Sequence, residues 1–229
     1  MKHRIFFRKD FKFPGEFRLE KEETDHLKSL RIFDKDKILD FRDGAGNSAL
    51  YSVFSGKREA ILQQKNEKKA AEPEIIIATA IPKGNRYDWL LQKGTELGIT
   101  AFLFVNFRRS ERKELNFERS EKIISEAGGQ SGRYYLPKIR LFDSLEKMIA
   151  AEAETPEKFL LLSPIAEEKL DTEKISSTIP IIGPEGGFDP EELKMFEKLK
   201  IGTANAGDSI LRIETAVLFM ASIKRLHFI

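Results

Sequence analysis

The stretch that most constrains this chain is Ile179-Pro180-Ile181-Ile182, which runs directly into Gly183-Pro184-Glu185-Gly186-Gly187-Phe188. Four apolar residues without alternation read as a strand buried on both faces. The glycines that follow let the backbone turn sharply and let a ligand approach with no Cβ in the way. Asp189-Pro190-Glu191-Glu192 then opens a helix, with Asp as N-cap, Pro at the first helical position and Glu three residues after the cap. A second glycine-containing loop, Asn205 to Ser209, leads through Ile210-Leu211-Arg212 into an apolar helix, Ile213 to Leu226. In α/β proteins, buried strands that feed glycine-rich turns at the carboxyl edge of a sheet are where ligands bind. The pair therefore predicts a small-molecule pocket. It does not match the common nucleotide fingerprints: there is no G-x-x-x-x-G-K-[ST], and G-P-E-G-G is not G-x-G-x-x-G.

The rest of the chain divides by periodicity. Residues 1–70 alternate short β-prone runs (Arg4–Arg8, Gly15–Leu19, Lys37–Phe41, Ala49–Phe54, Glu59–Gln64) with turn signals, and Asp43-Gly44-Ala45-Gly46-Asn47 reads as a hairpin loop. Glu22–Leu30 is the one helical stretch there, and short strands at this spacing predict a small barrel. Lys65–Pro73 is polar and reads as a linker, which predicts domains of 1–71 and 72–229. From Glu74 onward strands alternate with helices, the pattern of an α/β domain. Its expected elements are strands at Glu74–Ala80, Ala101–Phe107, Lys138–Phe142 and Phe159–Leu162, and helices at Arg86–Leu97, Glu118–Glu126 and Leu145–Ala153.

Composition excludes several classes. The chain has 229 residues, enough for one or two domains, and 41% are hydrophobic. It contains no cysteine, which rules out disulfides and Cys-ligated zinc and suits a reducing, cytoplasmic compartment. No metal site is expected. No run of 18 apolar residues predicts a membrane span, and Met1–Phe7 lacks the apolar core of a signal peptide. Net charge is only +2, but residues 1–70 carry 17 Lys/Arg against 12 Asp/Glu, whereas the remainder carries 22 against 25. A modestly basic N-terminal part is compatible with phosphate backbones without demanding them.

Two stretches of the α/β part have residue types suited to RNA. Arg108-Arg109-Ser110-Glu111-Arg112-Lys113 places four cations within six residues at the end of a buried strand, a position fit for phosphate contact. Ala127-Gly128-Gly129-Gln130-Ser131-Gly132-Arg133-Tyr134-Tyr135 combines backbone freedom, an amide, a cation and two aromatic rings, the types that single-stranded RNA recognition uses.

The sequences IIGPEGGF and ILRIETA resemble the signature loops of the small-subunit ribosomal RNA methyltransferase E family, of the SPOUT class. HLKSLRIFDKDKILDF from His26 and YDWLLQKGTELGI…FRRSER…EAGGQSGRYYLPKI resemble the same family in the same order, so the likeness covers nearly the whole chain. The resemblance implies a PUA-like RNA-binding barrel followed by an α/β SPOUT domain with a C-terminal trefoil knot over about residues 159–229. The knot is implied by the resemblance alone, since true knots are nearly absent from proteins. It further implies S-adenosylmethionine as cofactor, methylation of uridine N3 in 16S ribosomal RNA of the small subunit, and a homodimer.

On that basis the cofactor would be held by Leu162, Ser163, Ile182, Gly183, Pro184, Glu185, Gly186, Gly187, Ala206, Gly207, Ile210 and Leu211. Arg109, Arg133 and Arg212 are the catalytic candidates, stabilising charge on the uridine as N3 loses its proton. Arg4, Arg8, Arg31, Arg108, Arg112 and Gln130 are the candidate RNA contacts. Where the family usually reads Leu-Gly-x-Arg-Ile-Leu-Arg-x-Glu-Thr-Ala, this chain has Ser209 in place of the first cation and adds Asp208. The alternatives are a SPOUT enzyme acting on another RNA site and a non-catalytic RNA-binding ribosome assembly factor.

Overall fold

The computed structural model of the protein describes residues 3–152 and 155–229. Its chain separates into two compact units, one formed by residues 1–72 and 125–136, the other by residues 73–124 and 137–229.

The first unit is a five-stranded mixed sheet. β1 (Arg4–Phe7), β2 (Glu16–Arg18), β3 (Lys37–Arg42), β4 (Ser48–Val53) and β5 (Glu59–Lys65) lie in the order β1-β3-β4-β5-β2, with one helix, α1 (Lys21–Ser29). Only β1 against β3 is parallel; the remaining pairs are antiparallel. The expected loop at Asp43–Asn47 joins β3 to β4, and Asp43 Oδ1 accepts from the backbone N–H of Ala45 and Asn47. Phe41, Tyr51, Leu27 and Leu39 are fully buried in its core. Phe17 packs edge-on against Phe41 and Tyr51, and Phe11 packs tilted against the same two rings, at ring separations near those of favourable aromatic pairs.

The second unit is an all-parallel, six-stranded sheet. Its strands are β6 (Ile76–Thr79), β7 (Ala101–Val105), β8 (Lys138–Phe142), β9 (Phe159–Leu162), β10 (Ile179–Ile182) and β11 (Gly202–Ala204), in the order β11-β9-β10-β6-β7-β8. Helices α2 (Asn85–Glu96), α4 (Leu145–Glu152), α5 (Pro190–Lys198) and α6 (Ile213–Leu226) connect and cover them. Ile77, Phe102, Leu103, Phe104 and Ile181 are wholly buried, as central parallel strands require. The apolar stripe of α6, Val217, Met220 and Ala221, is equally buried, and α6 packs on α2, β6 and β10. Ala153, the expected last residue of α4, lies outside the described residues.

One expected boundary is corrected. The helix predicted to end at Glu126 is α3 (Phe117–Ser131), so Ala127–Ser131 is helical and not a loop. The glycines there serve close approach. A Cβ on Gly128 would stand 2.5 Å from Leu136 Cδ2 and 3.2 Å from the Phe7 ring, and one on Gly129 would stand 3.3 Å from the Ile5 carbonyl. Helix propensity is a weak prior that packing overrides, and here the helix continues because only glycine lets it lie against β1.

Candidate active site

Parallel register builds the site before any side chain is considered. Ala204, Leu162, Ile182 and Thr79 stand side by side on β11, β9, β10 and β6. The loops that leave these strands therefore start in one row at the carboxyl edge. Ser163 N–H donates to the Ala204 carbonyl (2.9 Å) and Ala80 N–H to that of Ile182 (3.1 Å), which continues the pairing one residue into the loops.

The Gly183–Phe188 loop turns on Gly187 (φ +70°). Phe188 folds back over Gly183 so closely that a Cβ there would lie 2.6 Å from its ring. That ring is held edge-on between Phe107 and Phe196, at 5.4 and 5.2 Å. Glu185, at the loop tip, faces Arg86 Nη2 at 3.6 Å. The loop after β11 is tied to the loop after β9 by Asn205. Its amide donates to the Pro164 (3.3 Å) and Ala166 (3.4 Å) carbonyls, while its Oδ1 accepts from Gly207 N–H at 2.7 Å. Ile210 on that loop is 84% exposed, and Leu162 and Leu211 are half-buried.

The β7 loop brings the basic cluster to the same edge. Arg109 Nη1 donates to the Gly186 carbonyl at 3.1 Å. Arg108 pairs with Glu191 and lies 3.7 Å from Asp189, the N-cap of α5. Its backbone N–H donates to Glu192 Oε1 at 2.9 Å, while Glu192 Oε2 accepts from Asp189 N–H at 2.8 Å. The capping box legible in the sequence thus holds the β7 loop as well. The Arg112 guanidinium covers the Tyr87 ring at 4.6 Å. Burial raises the Tyr87 hydroxyl above the usual phenol range, against its hydrogen bond to Ser120 and the charge of Arg112. Arg212 is the N-cap residue of α6 and is exposed.

The remaining sequence candidates lie in the first unit, and several of their charges are engaged internally. Arg8 makes two hydrogen bonds to Glu23, at 2.7 and 2.6 Å, and stacks over Phe17 at 4.4 Å. Arg133 is 7% exposed and pairs with Glu72. Tyr134 lies against the Arg42 guanidinium at 3.7 Å, and Tyr135 donates its hydroxyl to the Lys69 carbonyl. Arg4 contacts His26, while Arg31 and Gln130 are exposed, Arg31 with φ +55° just past the end of α1.

Residues 69–225 match the family model described as the RNA methyltransferase domain. The chain belongs to the RNA methyltransferase family. Among relatives of this methyltransferase is the ribosomal RNA small subunit methyltransferase E of Bacillus subtilis. It is 29% identical over 225 residues, covering 90% of this chain and 88% of that protein. A ribosomal RNA small subunit methyltransferase E from Neisseria gonorrhoeae, solved bound to S-adenosyl methionine, shares the fold with a TM-score of 0.81. The two are 24% identical over 98% of each chain. A putative methyltransferase from Legionella pneumophila, solved with bound cofactor SAM, has a TM-score of 0.82 at 21% identity, over 99% of this chain and 98% of that one.

Two residues that order this methyltransferase's loops escaped the sequence reading. Asn205 was readable as an Asx turn, since Asn followed by Ala-Gly at a strand end favours one. Lys224 left no local signal: it is 2% exposed on α6, and its Nζ donates to the carbonyls of Ile175 (3.0 Å), Ser176 (2.9 Å) and Thr178 (2.5 Å) in the β9–β10 connection. Burial lowers its pKa to about 8, against the charge of Glu74.

Proposed function

We propose that this chain transfers a methyl group from S-adenosylmethionine to N3 of a uridine in 16S ribosomal RNA of the small subunit. The observation that carries the reading is the row of three loop starts, Ser163, Gly183 and Asn205, at one sheet edge. The names and bound cofactor of its relatives support it.

The residues present fit such a cofactor. An adenine and a methionine tail need a concave, largely apolar lining with a few placed polar groups. An isoleucine as exposed as Ile210 leaves apolar surface for a ligand to cover, and the half-buried Leu162 and Leu211 add to it, while Ile182 is buried beneath the loop. A Cβ on Gly187 or Gly207 would meet nothing within 4 Å, so both loop backbones are open to a ligand. Ser163, Gly183–Gly187 and Ala206–Gly207 would offer backbone groups to the adenine edge and the ribose. Glu185 would help hold its own loop through Arg86.

When bound, S-adenosylmethionine supplies a methyl group on a sulfonium centre. The protein's own residues must position the uridine in line with that methyl and stabilise charge on O2 and O4 as the N3 proton passes to solvent water. Arg109 and Arg212, exposed in the sheet unit, are proposed for the second task. Arg133 is proposed to contact the substrate from the RNA-binding unit, and can do so only when its pair with Glu72 opens. Arg4, Arg8, Arg31, Arg108, Arg112 and Gln130 are proposed RNA contacts. For Arg8 and Arg108 that role competes with the ion pairs described above.

Three further parts belong to this reading. Residues 1–71 are taken as a PUA-like RNA-binding barrel, supported by a five-stranded mixed sheet with one aromatic-rich core. Residues 72–229 are taken as the SPOUT domain, with a trefoil knot in 159–229. The hydrogen bonds from Lys224 to the β9–β10 connection support this, because they tie that connection to α6. Phe219, Leu226, Phe228 and Ile229, all exposed, support a homodimer through the end of α6. Among the described residues no helix is long and apolar enough to cross a membrane.

Asp208-Ser209, both exposed, favour a second reading in which the same chemistry acts on another RNA site, because the family's cation is missing there. The test is methyl transfer from labelled cofactor to small subunits lacking this modification, followed by nucleoside analysis. N3-methyluridine supports the first reading, and a different methylated nucleoside supports the second. Neither cofactor binding nor transfer would leave an RNA-binding assembly factor.

A further inference from the structure

The first unit contains an open cleft of about 590 Å³ whose lining includes none of the residues assigned above to cofactor, catalysis or RNA. One wall is the connection Lys9–Phe13 between β1 and β2. The other is the β3–β4 hairpin, Asp43 to Ser48, with Lys65-Asn66 at the end of β5. A volume of this size is within the range of about 300–1,000 Å³ of small-ligand sites.

Its lining has a definite chemistry. Lys12 and Lys65 are exposed, and neither takes part in an ion pair among the described residues. Asp10 and Asp43 also line the cleft, so against Lys9, Lys12 and Lys65 the lining carries a formal charge of +1; the Asp43 oxygens bond within the hairpin, Oδ1 accepting from two backbone N–H groups and Oδ2 from the Asn47 amide. Asn47 and Asn66 present amide groups, and the Asn66 side chain is fixed by a 2.9 Å hydrogen bond to Ser48 Oγ. Phe13 is half-buried, edge-on to Phe11 at 5.0 Å. Asp10 and Phe13 both have φ in the left-handed region, +56° and +49°, which side chains other than glycine rarely adopt. Backbone strain of this kind persists only where surrounding structure imposes it, and it collects at ligand sites. Here it fixes the wall on which the Phe13 ring stands.

Resting on the reading of this chain as an RNA methyltransferase, we propose that the cleft holds one unpaired nucleotide of the RNA. Lys12 and Lys65 would face its phosphates, and the Phe13 ring its base. Cations on the backbone, amides at base edges and an aromatic face are what unstacked nucleotides are recognised by. Double-stranded RNA is instead read by shape over about 16 base pairs, an extent far beyond a cleft of this volume.

The experiment uses the full chain and a fluorescein-labelled, 12-nucleotide single-stranded RNA without self-complementarity, with its duplex as comparison. Affinity is measured by anisotropy across salt concentrations for the wild type, for Lys12→Gln/Lys65→Gln and for Phe13→Ala. Each phosphate contact on a single strand contributes about 0.7 to the slope of log K against log[salt]. The lysine pair is expected to reduce that slope by about 1.4 while duplex binding is unchanged. Phe13→Ala is expected to weaken binding about tenfold with the slope intact, in line with loss of one stacked base. Both lysines are exposed, so their substitution leaves the fold in place, checked by cofactor binding to the sheet unit.

An unchanged slope in the lysine variant overturns the proposal, as does equal loss of single-strand and duplex binding. If the wild type binds cofactor and methylates ribosomal RNA while the slope stays the same, the cleft alone is rejected. A wild type that binds neither RNA rejects the cleft together with the reading beneath it.

Discussion

Lys224 shows how much a single residue depends on packing that its neighbours in sequence do not announce. Its folded pKa of about 8 lies below the ordinary 10.5, with burial the larger cause. Between these values the unfolded chain binds more protons than the folded one, so this residue's contribution to stability rises as pH goes from about 8 to 10.5. It is lost again as pH falls through that window. The span corresponds to about 3 kcal/mol. Lys224→Met is expected to remove this rise, measured as the difference in urea-unfolding free energy between variant and wild type at pH 7.5 and pH 10.

The arginines separate in the same way. Arg109 is exposed and donates to the Gly186 carbonyl; on the proposed role in stabilising the uridine, Arg109→Ala is expected to cut kcat by about a hundredfold. Its melting temperature should stay near wild type, as for most surface changes. Arg133→Ala instead leaves Glu72 without its partner and is expected to cost about 3 kcal/mol in unfolding free energy, whatever it does to turnover. The sequence offered both as equivalent cations, because a cation's partner is chosen across the fold.

At the scale of elements, local signals were strong wherever the chain carries its own punctuation. The ends of β9 and β10 follow directly from apolar runs ending in Ser-Pro and Gly-Pro, and α6 follows from the apolar run after a glycine-containing loop. The end of α3 did not, since Gly128 and Gly129 break a helix in isolation and here allow it to reach β1. The same logic makes the Gly183 loop fragile. Gly183→Ala drives a methyl into a Phe188 ring already wedged between Phe107 and Phe196, and is expected to cost about 1–3 kcal/mol. It should also weaken cofactor binding, measured by calorimetry. Gly186→Ala, whose Cβ would meet nothing closer than 3.5 Å, serves as the tolerated comparison.

For the whole molecule, a ligand that binds only the folded state adds RT ln(1 + [L]/Kd). S-adenosylmethionine at a hundred times its dissociation constant is therefore expected to stabilise the chain by about 2.7 kcal/mol. For a protein of this size that raises the melting temperature by about 5–10 °C in a thermal scan. No shift would count against the loop row as a cofactor site.

By itself the sequence indicated most of the strands and helices, with the strand Gly202–Ala204 and the end of α3 as exceptions, and a change from a barrel-like pattern to an α/β pattern near Pro73; it also singled out two glycine-containing loops as expected ligand loops. These are local properties: period, caps and glycines act within a few residues. Only the tertiary structure decided that β10 lies between β9 and β6 with β11 outside them. It also decided that Ser125–Leu136 packs with the first unit, and that Asn205, Glu192 and Lys224 hold the loops together. Strand order and the partners of buried polar groups are set by burial and hydrogen bonding summed over distant segments, and every one of these contacts joins residues far apart in the chain.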